Sequence, residues 1–200
     1  EMNRGGSAIG FYMNNLTDLV FRDMVIHGMV SGGATPDCAA AIYGSYVRAM
    51  KIESCVIAGI RTAAGNAVIH AGTSSWLHLN HLQLGGHTAD AVARLDGGYG
   101  LLAEDATFYD YQTIGNVYHS KTPGGVGAWI DAINAPAGNG ASEPMVTVRF
   151  CQFDEGATRG ININGYKFTS EQNRFNVNNA GYGIYLTNVP DARSVQDHFG

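Results

Sequence analysis

Met50-Lys51-Ile52-Glu53-Ser54-Cys55-Val56-Ile57 sets apolar residues at its first, third, sixth and eighth positions. Two apolar positions separated by one residue have period 2, the spacing of a β-strand with one buried face. The two-residue step across Glu53-Ser54 breaks that alternation, so the chain must bend there before a second short strand turns inward. The same frame recurs at Leu19/Phe21/Met24/Ile26, Leu77/Leu79/Leu82/Leu84, Leu101/Ala103/Ala106/Phe108 and Val146/Val148/Cys151/Phe153. Two more polar copies follow, Phe168/Ser170/Asn173/Phe175 and Ala192/Ser194/Asp197/Phe199. Successive copies start 22 to 31 residues apart, except for one interval of 45.

A second motif precedes each copy, a small or apolar pair with one residue between. It reads Phe11/Met13, then Ala41/Tyr43 or Ile42/Gly44, then Ala67/Ile69, Ala91/Ala93, Ala128/Ile130, Ile161/Ile163 and Ile184/Leu186. Short strands with a bend between them, repeated once per 20 to 50 residues, describe a solenoid with one turn per repeat. Each strand then pairs in parallel with its counterpart one turn on, at about 4.8 Å. A β-sandwich also alternates, but it has no reason to keep one bend-containing motif in register seven times. The predicted fold is therefore all-β, a right-handed single-stranded parallel β-helix of about seven rungs, with repeats starting near residues 11, 42, 67, 91, 128, 161 and 184.

The runs Ala41-Ile42-Tyr43 to Gly59, Gly160-Ile161-Asn162-Ile163-Asn164 to Asn179, and Gly183-Ile184-Tyr185-Leu186 to Phe199 resemble the repeat of the right-handed parallel β-helix superfamily. That superfamily includes pectate lyases, polygalacturonases, alginate epimerases and bacteriophage tailspikes. The resemblance spans about residues 8 to 200 and implies a carbohydrate-directed function, on a virion tail or outside the cell. A tailspike-like chain would be a homotrimer. No catalytic motif of these families carries over. The N-x-D, D-D, G-H and R-x-K series is missing, as are R-x-x-R-x-P and D-P-H-E, although Gln196-Asp197-His198-Phe199 stands near the end.

Composition supports a buried column. Gly supplies 27 of the 200 residues, only 14% are charged and 45% are apolar, which excludes a disordered tail and argues against a helical bundle. The glycines are expected at rung corners, where the chain turns sharply or takes φ > 0. The net charge of −5, three lysines (Lys51, Lys121, Lys167) and scattered arginines leave no basic stripe for nucleic acid. No apolar run reaches the 18 residues of a membrane span, so membrane insertion is not expected. Cys38, Cys55 and Cys151 are odd in number and far apart, which reads as buried thiols rather than disulfides or a zinc site. Residues 1–8 are too short to cap a solenoid, and the chain stops within a rung. Residues 1–200 are accordingly expected to form a single β-helix segment of a longer chain, or to lie against other chains.

A packed column confines function to its walls and loops. Between the inward pairs, one outward column reads Arg22, Glu53, Asn80, Glu104, Arg149, Glu171, Val195. Glu53 and Glu104 would stand two rungs apart, about 9.6 Å between backbones, near the separation of the two carboxyls of an inverting glycosidase. In the next column His81 would lie one rung from Asp105 and exchange a proton with it. Glu53, Glu104, Asp105 and His81 are thus the acid/base candidates, with Asn80 and Arg149 beside them as substrate contacts. Cross-strand charge pairing on a solvated wall explains the same pattern without catalysis. His78 and His81 have no third ligand fixed by spacing, so no metal or other cofactor is expected.

Outward aromatics Tyr12, Tyr43, Trp129 and Tyr185, interleaved with Arg94, Asp131, Asn162 and Asn164, offer stacking faces and hydroxyl partners for a sugar. Loop residues Tyr109, Asp110, Tyr111, Tyr118 and His119 add to these. Long connections at 31–40, 111–126 and 134–144 are expected at one kind of corner, walling a groove beside Glu53 and Glu104. The expectation is a β-helix that binds, and as a hydrolase or lyase cleaves, a bacterial surface or other long polysaccharide. The alternative is a non-catalytic structural or adhesive β-helix of a virion appendage or surface adhesin.

Overall fold

The structure, a computed structural model, describes residues 9–28, 38–62, 65–85, 89–109, 126–138, 143–154, 156–176 and 181–200. Three parallel seven-stranded sheets wrap into a β-solenoid, and no helix occurs among the described residues. The first sheet stacks Ile9–Asn14, Ala40–Ser45, Ala67–Gly72, Ala89–Asp96, Val126–Ile133, Ala157–Asn164 and Tyr182–Thr187. The second stacks Leu19–Arg22, Met50–Glu53, Leu77–Asn80, Gly100–Glu104, Met145–Arg149, Lys167–Glu171 and Ala192–Val195. The third stacks Val25–His27, Val56–Ala58, Gln83–Gly85, Thr107–Tyr109, Gln152–Phe153, Arg174–Phe175 and His198–Phe199. About six full turns separate the first and last strands of the first sheet.

The repeat frame read from sequence is the observed register. Leu19, Met50, Leu77, Leu101, Val146, Phe168 and Ala192 follow one another down the second sheet. At the bend after that sheet, Asp23, Ser54, His81, Asp105, Phe150, Gln172 and Gln196 all take left-handed φ values between 52° and 55°. A left-handed residue with a Cβ costs about 1–2 kcal/mol. The ladder runs on through the bend and offsets part of this. The Ser54 amide donates to the Asn80 carbonyl at 3.0 Å and the Phe150 amide to that of Glu171 at 3.0 Å. A second left-handed column, Asn15, Tyr46, Thr73, Gly97, Asn134, Gly165 and Asn188, turns the first sheet into the second.

The explanation of the glycine content is thereby corrected. Among the described residues most left-handed corners are occupied by other residues; five glycines (Gly59, Gly65, Gly97, Gly156 and Gly165) take positive φ, and others serve where backbones or rings come too close. A Cβ on Gly160 would lie 2.5 Å from the Gly183 carbonyl oxygen and 2.9 Å from the Phe175 ring.

The interior is a column of apolar residues, filled at its third-sheet side by Ile26, Ile57 and Leu84 in the first three turns and by aromatic rings from Phe108 on. Phe108, Phe153, Phe175 and Phe199 stack with centroids 4.8–5.0 Å apart and planes within 9°. The three cysteines are buried, as expected, and burial pushes the Cys151 thiol up to about 12. Trp129, expected outside, is fully buried. The alternation breaks within this strand too, so Trp129 and Ile130 both face inward. Trp129 packs 6.2 Å from Phe108, and its Nε1–H donates to the Asp154 carbonyl at 2.9 Å.

The pairing also settles the second motif. Phe11, Ile42, Ile69, Ala93, Ile130, Ile161 and Ile184 are in register. Ile42/Gly44 is therefore the right frame of the second copy, and three of the sequence pairs (Ala67/Ile69, Ala91/Ala93, Ala128/Ile130) start two residues early. The long connections are corrected as well. Those at 31–40 and 111–126 join the third sheet to the first, and that at 134–144 joins the first to the second. None lies at the second-to-third bend beside Glu53 and Glu104.

One buried polar cluster crosses three turns, the third reached by Asp197 Oδ1, which accepts the Asn173 amide at 2.9 Å and its side-chain Nδ2 at 3.1 Å. The Asn173 side chain donates to the Val148 carbonyl at 2.9 Å and to Ser170 Oγ at 2.9 Å, while its Oδ1 accepts the Cys151 amide at 2.8 Å. Asn173→Ala leaves a buried amide and carbonyl unpaired, at about 1–3 kcal/mol each. It should lower stability by about 2–4 kcal/mol and the melting temperature by about 5–15 °C. A calorimetric melt superimposable on the parent's would show that this cluster does not hold the turns together.

Candidate functional site

The solenoid presents two walls with different chemistry. On the second sheet, Arg22, Glu53, Asn80, Glu104, Arg149, Glu171 and Val195 are stacked in register. Glu53 and Glu104 stand two rungs apart with Asn80 between them, as the repeat predicts. Neither carboxylate is isolated. Arg22 reaches Glu53 with Nη2 at 2.6 Å and Nε at 3.1 Å, and Arg149 Nη2 lies 3.1 Å from Glu104 Oε1.

The hydrogen bond from Arg22 is the main reason the Glu53 carboxyl sits below the ordinary carboxylate range; desolvation opposes it, and the charges of Arg22 and Lys51 and a bond from Asn80 assist. A general acid must hold its proton near the working pH. This arrangement instead keeps Glu53 ionised. His81 Nδ1 lies 3.5 Å from Asp105 Oδ2, one rung apart on the exposed bend. Burial lowers the His78 pKa, Lys51 lowers it further and Glu53 opposes them. Among the described residues no three His, Cys, Asp or Glu side chains are placed to hold a metal ion.

On the first sheet, one outward column runs the whole length: Tyr12, Tyr43, His70, Arg94, Asp131, Asn162, Tyr185. Tyr12 and Tyr43 stack at 5.6 Å, and Tyr43 meets His70 edge-on at 4.8 Å. Arg94 grips Asp131 Oδ2 through Nε at 3.1 Å and Nη2 at 3.0 Å, while Asn162 Nδ2 donates to Asp131 Oδ1 at 2.6 Å. The Arg159 guanidinium lies 4.2 Å above the Tyr185 ring and bonds Asn162 Oδ1 at 3.3 Å. Burial is the main cause of the lowered His70 pKa and of the raised Tyr43 pKa.

Tyr12, Tyr43 and Tyr185 thus share a wall with Arg94, Asp131 and Asn162, as the sequence predicts, but not with the Glu53–Glu104 pair. The stacking residues and the acid/base candidates occupy adjacent sheets. His70 and Arg159 escaped the sequence reading. The signal for His70 was available: with the pair set at Ile69/Ala71, residue 70 is the outward one, and the two-residue slip hid it. Side chains at 109–111, 118 and 119 lie outside the described residues. No protein-family model, curated protein or solved structure matches the chain.

Replacing Arg22 by Met removes the largest influence on the Glu53 carboxyl. Its titration midpoint, followed by carboxyl-carbon NMR, should move up. In the parent, the lowered pKa means that the pair favours the folded chain above the unfolded carboxylate pKa and loses this as pH falls. An unmoved midpoint would show that the arginine does not hold Glu53 ionised.

Proposed function

We propose that the chain is a carbohydrate-directed β-helix of the right-handed, tailspike or extracellular polysaccharidase kind, which lays a long polysaccharide along the outer face of its first sheet. The observation that carries this reading is the unbroken column from Tyr12 to Tyr185. It sets three rings, Tyr12, Tyr43 and His70, beside guanidinium, carboxylate and amide groups on Arg94, Asp131 and Asn162, and ends on a fourth ring, Tyr185, all at the strand spacing. A sugar offers apolar C–H faces to rings and hydroxyls that both donate and accept, which is the complement of that column. In this setting the chain works as a homo-oligomer on a virion tail or outside the cell, a trimer in the tailspike case. Glu53 and Glu104, assisted by His81 and Asp105, are the pair through which it would cleave the polymer as a hydrolase or lyase.

One observation favours the non-catalytic adhesive alternative. Both carboxylates are engaged by arginines, and neither shares a wall with the ring ladder. A polysaccharide array with assay of released reducing ends and unsaturated products separates the readings. Polymer retention should fall about five- to thirtyfold in Tyr43→Ala, equivalent to roughly 1–2 kcal/mol of lost ring contact. Product release abolished in Glu53→Gln and Glu104→Gln supports the enzyme. Retention without product, unchanged in both variants, supports the adhesin. A parent chain that retains no polymer overturns the carbohydrate reading.

A further inference from the structure

The first-sheet wall is not level. Asp90, Gly127 and Thr158 occupy equivalent positions on three successive strands, next to the register pairs Ala89–Val126 and Val126–Ala157. The middle strand carries only Gly127 and Ala128 there, while its neighbours carry Asp90 on one side and Thr158 and Arg159 on the other. The result is a notch of about 280 Å³ one strand wide, closed along the wall by Asp131 and Asn162. The flanking backbones are about 9.6 Å apart by strand spacing. Gly127 keeps the floor low, because a Cβ there would lie 2.4 Å from the Asp90 carbonyl oxygen.

The groups around the notch are held in place. The Gly65 amide donates to the Asp90 carboxylate, and Arg94, which fixes Asp131, also donates to the Gly65 carbonyl at 2.6 Å. Arg159 is steadied by Tyr185 beneath its guanidinium and by Asn162. Asp131 is neutralised by Arg94, which leaves Asp90 as a negatively charged hydrogen-bond acceptor and Arg159 as a positively charged donor in the same cavity. A carboxylate ligand would gain Arg159 but face Asp90, and a cation would meet the reverse. A neutral polyol, whose hydroxyls donate to one and accept from the other, satisfies both. The volume is at the small end of ligand cavities, the size for one ring rather than several.

From this geometry we infer that the notch is a subsite for a single neutral pyranose unit, bound between Asp90 and Arg159 over the Gly127–Ala128 floor. The inference rests on the carbohydrate reading of the first-sheet wall and assigns the place where one sugar is recognised by its hydroxyls rather than by stacking alone.

Neutral gluco-, galacto- and manno-hexasaccharides, with oligogalacturonate of the same length, are titrated at millimolar concentration into the isotope-labelled chain. At least one neutral hexasaccharide should shift the amides of Gly127, Ala128, Thr158 and Asn162. Asp90→Asn and Arg159→Met should each weaken it at least about tenfold, the loss of one charged hydrogen-bond partner. Both variants retain the local scaffold: Asn keeps an acceptor for Gly65, and Met keeps an apolar stem on Tyr185. Unchanged melting temperatures would show that lost binding is not lost folding. Shifts confined to Tyr12, Tyr43 and their neighbours overturn the subsite and leave the wall reading standing. Binding of oligogalacturonate alone overturns the neutral assignment. Shifts nowhere on the first sheet overturn the subsite and the wall together.

Discussion

Every side chain in a parallel coil stands about 4.8 Å from its counterpart one turn away, so a position can hold only what tolerates a copy or a complement on both sides. Flat rings meet that condition, and the four phenyl groups from Phe108 to Phe199 stack at almost the strand spacing. Like charges do not meet it. The second-sheet column therefore sets Arg22 against Glu53, Asn80 between two glutamates, and Arg149 between Glu104 and Glu171. The same spacing governs the bends. From Asp23 to Gln172 a left-handed residue is tolerated after the second sheet because its amide still reaches a carbonyl one turn on.

That rule explains why the fold was legible in the sequence. The inward pairs of the second and third sheets are short, regular and flanked by a bend of constant length, so seven copies expose the register directly. The first sheet was harder. Its strands contain a second break in alternation, where Val92 and Ala93, or Trp129 and Ile130, are both buried. Period-2 reasoning carried through such a break turns one residue outward wrongly, which is how Trp129 came to be expected on the surface. The glycines misled for a related reason. Their number signals crowding between turns, as at Gly160, while the corner residues are as varied as His81 and Phe150. Crowding depends on which ring lies one turn away, and no local window contains that information.

The candidate site was legible to the extent that it lay on regular strands. Glu53, Asn80, Glu104 and Arg149 are aligned as the frame requires, yet their ion pairs depend on rotamers that a sequence column does not encode. Arginine on the neighbouring rung changes the meaning of each glutamate. At Glu53 an outward carboxylate spaced for catalysis becomes one held ionised by Arg22, and at Glu104 it becomes one ion-paired with Arg149. Strand spacing sets Glu53 and Glu104 two rungs apart, while the ionisation of Glu53 depends on the side chain one rung away.

Column complementarity also gives a criterion for what on the surface exceeds structural need. The Glu53 and Glu104 ion pairs are what a solvated parallel wall requires to avoid repulsion, so their presence alone argues for nothing further. The first sheet carries more than that. Arg94 with Asp131 satisfies the spacing rule, and His70, largely buried beside Tyr43, has the Asp96 carboxylate 3.8 Å from its Nε2. The rule does not ask for a strand stripped to Gly127 and Ala128 between neighbours bearing Asp90 and Arg159. A Cβ at Gly127 would lie 2.4 Å from the Asp90 carbonyl oxygen, so the glycine answers to the close approach of the two strands, while the polar groups flanking the step do not follow from that crowding. The second-sheet charges are accounted for by the solenoid itself, and what exceeds the column rule on the first sheet is the flanking of the Gly127–Ala128 step by Asp90, Thr158 and Arg159.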